Sequence, residues 1–335
     1  MSKPRPILGE MPWNVKQMIV KSTDTRTKIS LRQTTKTLKE FVDNSAIKYH
    51  EIIMKSHEYS NIVTLDVNIT PQLISVDFRL GYLFFCISGA DRIEFFAQKL
   101  TKVFRNPHAI VRTLEIEKFS TLRDVNLMAK RELLLSAIGK HLSRLPHKIN
   151  VECLKISAKD QYDIMHLLPY IKTGTLKAIH LKPYDKEILG NFPLNTVTRM
   201  EQWKEARFLH IHSLNLTSFG LSERDIEHFD VIYFYLDSFG LEQTNSSIET
   251  IFNGATTLTC KANWFDYDAI ISYLDQFENL PTHRYREFKI RRGTASCNVK
   301  LFGTHYARFV VFYNPDKTSV GNDWDVVMNA YKNYK

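Results

Sequence analysis

Six short apolar runs decide the fold class of this chain: VECLKI at 151–156, LKAIHL at 176–181, ARFLHI at 206–211, VIYFYL at 231–236, TTLTC at 256–260 and REFKI at 286–290. Their last residues lie 24 to 30 residues apart, and most of the gaps hold a helical pattern. A strand and a helix that return at a period of about 20–29 residues are typical of a leucine-rich-repeat-like α/β solenoid. Because the repeats lack the regular asparagine of the common type, an ordinary three-layer α/β sheet is the alternative.

Alternation within these runs predicts which side chains face the core. Leu154 and Ile156 in one run, and Leu209 and Ile211 in another, are predicted to point inward. The intervening residues form an outward row, which is a candidate surface for a protein substrate: Lys155, His180, His210, Tyr235 and Lys289. A merely solvated sheet face explains the same row.

Strand and helix patterns also flank the repeats. Strands are predicted at 62–67, 73–78, 82–87 and 111–116, and amphipathic helices at 92–104 and 124–145. Apolar runs at 299–302 and 309–313 predict a closing hairpin. A final helix near 322–331 either covers the last repeat or docks on another protein.

Residues 1–48 have a different, helical pattern. Met11, Val15, Met18 and Ile19 are spaced so that they lie on one side of a short helix that begins near Pro12. A capping cluster at 23–25 starts a second helical stretch, whose apolar residues recur up to position 42. A unit this small is rarely stable alone, so it needs a partner or the following domain.

The net charge of +9 is concentrated in this leader, because residues 1–50 hold ten Lys or Arg against four Asp or Glu. Such an excess favours an acidic partner. Nucleic-acid readers interleave basic residues with aromatic ones, and the leader offers only Trp13 and Phe41. The sequence therefore does not predict nucleic-acid binding.

Composition and motifs exclude several classes. The chain of 335 residues is 44% hydrophobic and 24% charged, which excludes collagen and a wholly disordered chain. No apolar run reaches the roughly 18 residues of a membrane span, and the first residues do not form a secretory signal. The four cysteines are scattered, as in reduced proteins of the cytoplasm or nucleus. We expect a chain without a membrane segment in one of those compartments.

Catalytic and cofactor motifs are missing as well. The sequence has no GxGxxG, GxxxxGK[ST] or GxSxG pattern. His210 and His212 share a strand face but lack a third ligand at suitable spacing, and Asp266 and Asp268 fit a helix cap. We therefore expect no enzyme activity, no cofactor and no metal.

The leader resembles the F-box. That motif has an apolar residue before a proline, a Val-x-x-x-Ile helix, an apolar-Arg step and a Leu-[KR]-x-[FL]-[VI] close. These elements fall on Leu8, Met11, Pro12, Val15, Ile19, Leu31, Arg32, Leu38, Phe41 and Val42. The sequence departs from the motif at Thr23, where leucine is usual, and at 33–35, where Gln-Thr-Thr replaces an apolar step.

The remainder resembles the FTH domain that accompanies F-boxes in a large nematode family. The resemblance rests on five segments in order: FFAQKLTKVFRNPHAIVRTLEIEKF, LSRLPHKINVECLKI, IMHLLPYIKTGTLKAIHL, RMEQWKEARFLHI and DIEHFDVIYFYL. It covers residues 8–48 and 90–290 and implies an F-box at 1–48, an FTH-type α/β repeat domain at 49–313 and a capping helix and tail at 314–335.

The family resemblance implies a substrate adaptor of an SCF-type cullin-RING ubiquitin ligase. The F-box would dock on a Skp-family protein through Leu8, Met11, Pro12, Val15, Ile19, Leu31, Arg32 and Leu38, and the FTH domain would hold an unknown target. Two alternatives stay open. One is a binding protein that sequesters its partner without ligase coupling; the other is a hydrolase or RNA-binding protein that uses His210, His212 and the positive charge.

Overall fold

The computed structural model is an α/β protein, as predicted, with parallel strands in each of two compact units. It describes residues 8, 11–57, 62–68, 90–117, 125–183, 193–212, 221–239, 241–253, 257–265, 267–280, 286–292, 295–303 and 308–313. Unit 1 comprises residues 1–185 and 199–206, and unit 2 comprises residues 186–198 and 207–335.

Unit 1 begins with three short helices: α1 (Trp13–Ser22), α2 (Thr25–Arg32) and α3 (Lys36–Asp43). Asp24 caps α2 as predicted, because its carboxylate accepts a hydrogen bond from the Thr27 amide at 2.9 Å. The single helical pattern predicted up to residue 42 is divided in two. Thr35 is extended and its hydroxyl accepts from the Leu38 amide, so it starts a separate helix.

The sheet of unit 1 has the strand order β2 (Ile62–Asn68), β1 (Lys48–His57), β3 (Ile110–Ile116), β4 (Asn150–Ala158) and β5 (Ala178–Pro183). The β1–β2 pair is antiparallel, and the other neighbours are parallel. Its helices are α4 (Ala90–Val103), α5 (Val125–Ser143), α6 (Gln161–Met165) and α7 (Glu201–Lys204), with a 3-10 turn at Leu168–Tyr170. The sequence pattern did not predict β1, whose buried centre does not alternate.

Strands β3, β4 and β5 of unit 1 carry an apolar row on one face and a polar row on the other. On the apolar face, Leu114, Leu154 and Ile179 are neighbours across β3, β4 and β5, and all three are buried. On the other face, the same register brings Glu115, Lys155 and His180 side by side. The predicted inward direction of Leu154 and Ile156 is confirmed by their burial.

Unit 2 contains a mixed sheet. Its strand order is β6 (Phe208–His212), β7 (Val231–Phe239), β8 (Thr257–Phe265), β12 (Arg308–Tyr313), β11 (Ala295–Gly303), β10 (Arg286–Arg292) and β9 (Glu278–Leu280). The first three strands are parallel, and the others pair antiparallel. Its helices are α8 (Glu223–Ile226), α9 (Leu241–Asn253) and α10 (Tyr267–Leu274).

The last predicted repeat does not continue the series. The REFKI run forms β10, which lies three strands away from β8 and pairs antiparallel with β9 and β11. The predicted hairpin is present as β11 and β12, and β12 occupies the place beside β8 that a further repeat strand would take. Antiparallel neighbours need only a short connection, so β12 follows β11 directly in the chain and pairs with it on one side and with β8 on the other.

Several predicted elements lie outside the described residues: the strands at 73–78 and 82–87 and the C-terminal helix and tail at 314–335. Among the helices that the structure describes, none combines the length and the apolar character needed to cross a membrane.

Candidate functional site

Helix α1 buries one side in the leader. Val20 is 2% exposed, and the ring of Trp13, which is itself 60% exposed, lies tilted at a centroid distance of 3.7 Å from that of Phe41, a buried residue of α3. These contacts fix the orientation of α1, so the opposite side of the helix turns away from α3.

That opposite side carries an apolar stripe. We define the α1 stripe as Met11, Val15, Met18 and Ile19, which follow one another at three- and four-residue steps. Met18 is 71% exposed, and the other three side chains are half-buried. Pro12, at the N-cap of the helix, is exposed. Three of these four stripe residues, with Pro12, were predicted as adaptor contacts; Met18 had been recognised only as part of the helical pattern.

The other predicted adaptor contacts have different surroundings. Leu38 is buried, whereas Leu8 and Leu31 are half-buried. Arg32 Nε donates to the Asp43 carboxylate, which joins α2 to α3. Leu38 and Arg32 therefore stabilise the leader itself, and their role in docking stays a prediction.

The leader is attached to the sheet of unit 1 by hydrogen bonds. The Ile110 amide donates to the Ile47 carbonyl at 2.8 Å, and Asn106 Nδ2 donates to the Ser45 carbonyl at 3.0 Å. Lys28 Nζ, on α2, donates to the Ala46 carbonyl at 3.2 Å. These hydrogen bonds hold the leader, which carries the α1 stripe, on the sheet of unit 1.

In unit 1, the side chains of the predicted substrate row are less exposed to solvent than the alternating sequence pattern predicted. The Lys155 side chain is 21% exposed, and its Nζ lies 3.3 Å from Glu115 Oε2 and 3.9 Å from Glu51 Oε1. Burial lowers the pKa of Lys155, but Glu115, Cys153 and Glu51 raise it, and the net shift is upward. His180, its neighbour on β5, is 4% exposed. Little of this pair is accessible to a protein substrate.

In unit 2 the predicted residues are not aligned in one row. His210 lies opposite Tyr233, with an edge-on ring contact at 4.7 Å, whereas Tyr235 lies opposite His212. Lys289 is on β10, where it lies opposite Asn298 and Glu278. The structure therefore does not bring Lys289 next to Tyr235, because three strands separate β10 from β7. Substrate binding by these residues stays a prediction.

Sequence reasoning missed a cleft in unit 1 of about 80 Å³, which we call the Arg131 cleft. Arg131 on α5 is 2% exposed and forms an ion pair with Asp163 of α6, which is also buried. Arg131 Nη2 donates to the Ser157 carbonyl, and the Lys159 amide donates to Asp163 Oδ2 at 2.7 Å. Because 32 residues separate the partners, no local pattern could have linked them.

The described residues include cysteines and other side chains of the kinds that ligate metals. They contain no group of three His, Cys, Asp or Glu that could hold a metal ion. Burial raises the pKa of the Cys153 thiol to about 12, and it also raises the pKa of the Cys260 thiol. At neutral pH both thiols are protonated and hence poor nucleophiles.

One comparison identified a domain. Residues 132–277 match the FTH domain. Neither the curated proteins nor the solved structures gave a significant match.

The FTH match covers less than half of the chain but includes most of the predicted substrate row: Lys155, His180, His210 and Tyr235. It includes β4 to β8 and the cleft residues from Glu132 onward. The α1 stripe lies outside the FTH match, so the match carries no information about the leader.

Proposed function

We propose that this chain is a non-enzymatic substrate adaptor. In this proposal residues 1–48 are an F-box that docks on a Skp-family protein, and residues 49–313 hold a target protein for ubiquitination by an SCF-type cullin-RING ligase. The observation that carries the proposal is the α1 stripe, an apolar row whose Met18 is 71% exposed on a helix that is anchored through the buried Val20. The F-box resemblance of the leader suggests the class of partner, and the FTH match supports the domain that would follow an F-box in this proposal.

The exposure of the stripe favours a helical protein partner. A large apolar side chain such as Met18, 71% exposed, loses favourable burial while it faces water. An amphipathic helix packs into a partner's groove through residues that follow one another at three- and four-residue steps on one side of the helix. Met11 and Ile19, at opposite ends of the stripe, would place such a groove along most of α1.

Charge supports an acidic adaptor. Lys21, Lys36 and Lys39 are exposed on the leader helices. Complementary charge raises the association rate more than the affinity, and salt screens it over about 8 Å at physiological ionic strength. We expect adaptor association to slow markedly as salt is raised, with a smaller change in the dissociation rate.

In this proposal the chain positions the target protein, and the ligase carries out the reaction. The parallel strands of the FTH match would form a leucine-rich-repeat-like scaffold, and the ligase would gain rate from the proximity of the bound target. We place this activity in the cytoplasm or nucleus.

Co-purification with a Skp-family protein tests the proposal. We expect Met18→Asp to weaken binding at least about tenfold, because it places a charge in a desolvated contact. Leu133→Asp is a matched control, since Leu133 on α5 is also exposed, at 58%. Both variants should melt close to wild type. Equal adaptor binding by Met18→Asp and wild type would reject the docking role of α1.

The second candidate is sequestration of the target without ligase coupling. It is favoured by the exposed Gln33, Thr34 and Thr35, which stand where the F-box has an apolar step and so remove adaptor contacts. Inhibition of the cullin pathway separates the two functions. Ligase coupling requires the target to accumulate, whereas sequestration leaves its abundance unchanged.

A further inference from the structure

The Arg131 cleft has a rigid floor. Arg131 and Asp163 are both buried and form an ion pair. Arg131 also donates to a backbone carbonyl near the end of β4, and Asp163 accepts from a backbone amide between β4 and α6. Beside the cleft, α5 approaches His166 so closely that a Cβ on Gly139 would lie 2.9 Å from the His166 carbonyl oxygen. A cleft built on such contacts keeps its shape without a ligand.

The rim of the cleft combines an aromatic ring with carboxylates. Tyr162 is 68% exposed, although it lines the cleft. Glu132 is exposed and Asp160 is half-buried at the same rim. Among the residues that the structure describes, the side chains of Glu132 and Lys159 form no ion pair with each other or with a third residue.

The charge of the cleft is opposite to that of the chain. Arg131 and Lys159 are its cations, and Glu132, Asp160 and Asp163 are its anions, so with His166 neutral the formal charge is −1. The whole chain carries +9. The formal charge of this cleft is therefore attractive to a cation, although the chain as a whole repels one.

We propose that the Arg131 cleft binds a basic side chain, an arginine of a partner protein, with its guanidinium on the face of Tyr162 and within reach of Glu132 and Asp160. Arginine stacks on aromatic rings and pairs with carboxylates through its planar donors, which suits this rim. Naming that partner as the ubiquitination target rests on the proposed function, whereas the ligand chemistry of the cleft does not.

A titration of the full chain by ligand-detected NMR tests the site. The probe is acetyl-Gly-Gly-Arg-Gly-Gly-amide, compared with the same peptide carrying citrulline, which keeps the shape and lacks the charge, or glutamate. We expect the arginine peptide to bind more tightly than both others. This measurement needs no adaptor, so its failure is distinguishable from failure of the docking role of α1.

Variants of the cleft residues should change the affinity for the arginine peptide in opposite directions. Tyr162→Leu should weaken the arginine peptide about two- to fivefold, the range of an exposed cation–π contact. Glu132→Gln should also weaken it, whereas Lys159→Gln should tighten it, because that variant removes a like charge. Glu242→Gln, an exposed change on α9, should leave binding unchanged. A merely structural role of these residues does not produce opposite signs.

Three results would overturn the proposal. They are equal binding of the arginine and citrulline peptides, tighter binding of the glutamate peptide, and no measurable binding of the arginine peptide to the folded chain.

Discussion

The Arg131–Asp163 pair shows what a single buried contact contributes to this fold. Both side chains are almost fully removed from water, so each charge depends on the other and on the backbone bonds described above. Desolvation of two charges is costly, and a pair of this kind contributes order more than net stability. Removing one of the two charges therefore destabilises the protein more than removing both.

We expect Asp163→Asn to lower the free energy of unfolding by about 3–5 kcal/mol, because it leaves the Arg131 charge buried without its counter-ion. The double variant Arg131→Met/Asp163→Leu should lose less than Asp163→Asn alone. Urea unfolding followed by circular dichroism measures both. If the double variant were the less stable of the two, the charge balance would not be what holds α5 to α6.

The leader helices show how local capping divides a continuous apolar pattern. The sequence places apolar residues at helical intervals from 29 to 42, and nothing in that period marks a break. The break arises at Thr35, whose hydroxyl accepts from the Leu38 amide, one of the free amides in the first turn of α3. Three short helices result, and α1 packs on α3.

We expect Thr35→Ala to lower the stability of the leader by about 1 kcal/mol, the usual cost of losing a helix cap. Thr37→Ala is the matched control, since Thr37 is exposed within α3 and alanine favours a helix. Hydrogen exchange of the α3 amides reports the difference locally. Equal protection in the two variants would show that the cap does not set the start of α3.

The elements that the sequence predicted are those with a repeating apolar signal. The parallel strands β4 to β8 and the helices α4 and α5 fall close to their predicted positions. Strand β1 was missed because its centre, Ile52 to Met54, is buried on both faces. The antiparallel pairing of β10 was missed because its spacing from the preceding runs was taken as one more repeat, although Arg292 pairs with Ala295 of β11, the next strand in the chain.

The α1 stripe, the Arg131 cleft and the predicted substrate row could be predicted from the sequence to different degrees. The helical step from Met11 to Ile19 revealed the α1 stripe, since one side of a helix is a local property. The Arg131 cleft joins α5 to α6 through residues far apart in sequence, so only the folded chain brings it together. The row from Lys155 to Lys289 assumed a regular repeat, which ends at β8.

At the scale of the whole molecule, the FTH match and the structural units have different boundaries. The match begins inside α5 and ends after α10. It leaves out β3, which pairs with β4, and β12, which pairs with β8. A fragment limited to the match would expose a strand edge at both β4 and β8, and such edges promote aggregation.

We therefore expect the isolated fragment 132–277 to aggregate or to unfold without a cooperative transition, whereas the chain up to residue 313 melts cooperatively. Thermal melts by circular dichroism, with light scattering, compare the two. A monomeric fragment with a sharp melt would show that β3 and β12 are dispensable.

The late position of β12 in the chain has a consequence during translation. Strand β8 is complete at residue 265, but the strand that covers it ends only at residue 313. At roughly 5–20 residues per second, a ribosome needs about 2 to 10 seconds to make the missing stretch. During that interval the nascent chain carries an open β-edge, which is where a chaperone would be needed most.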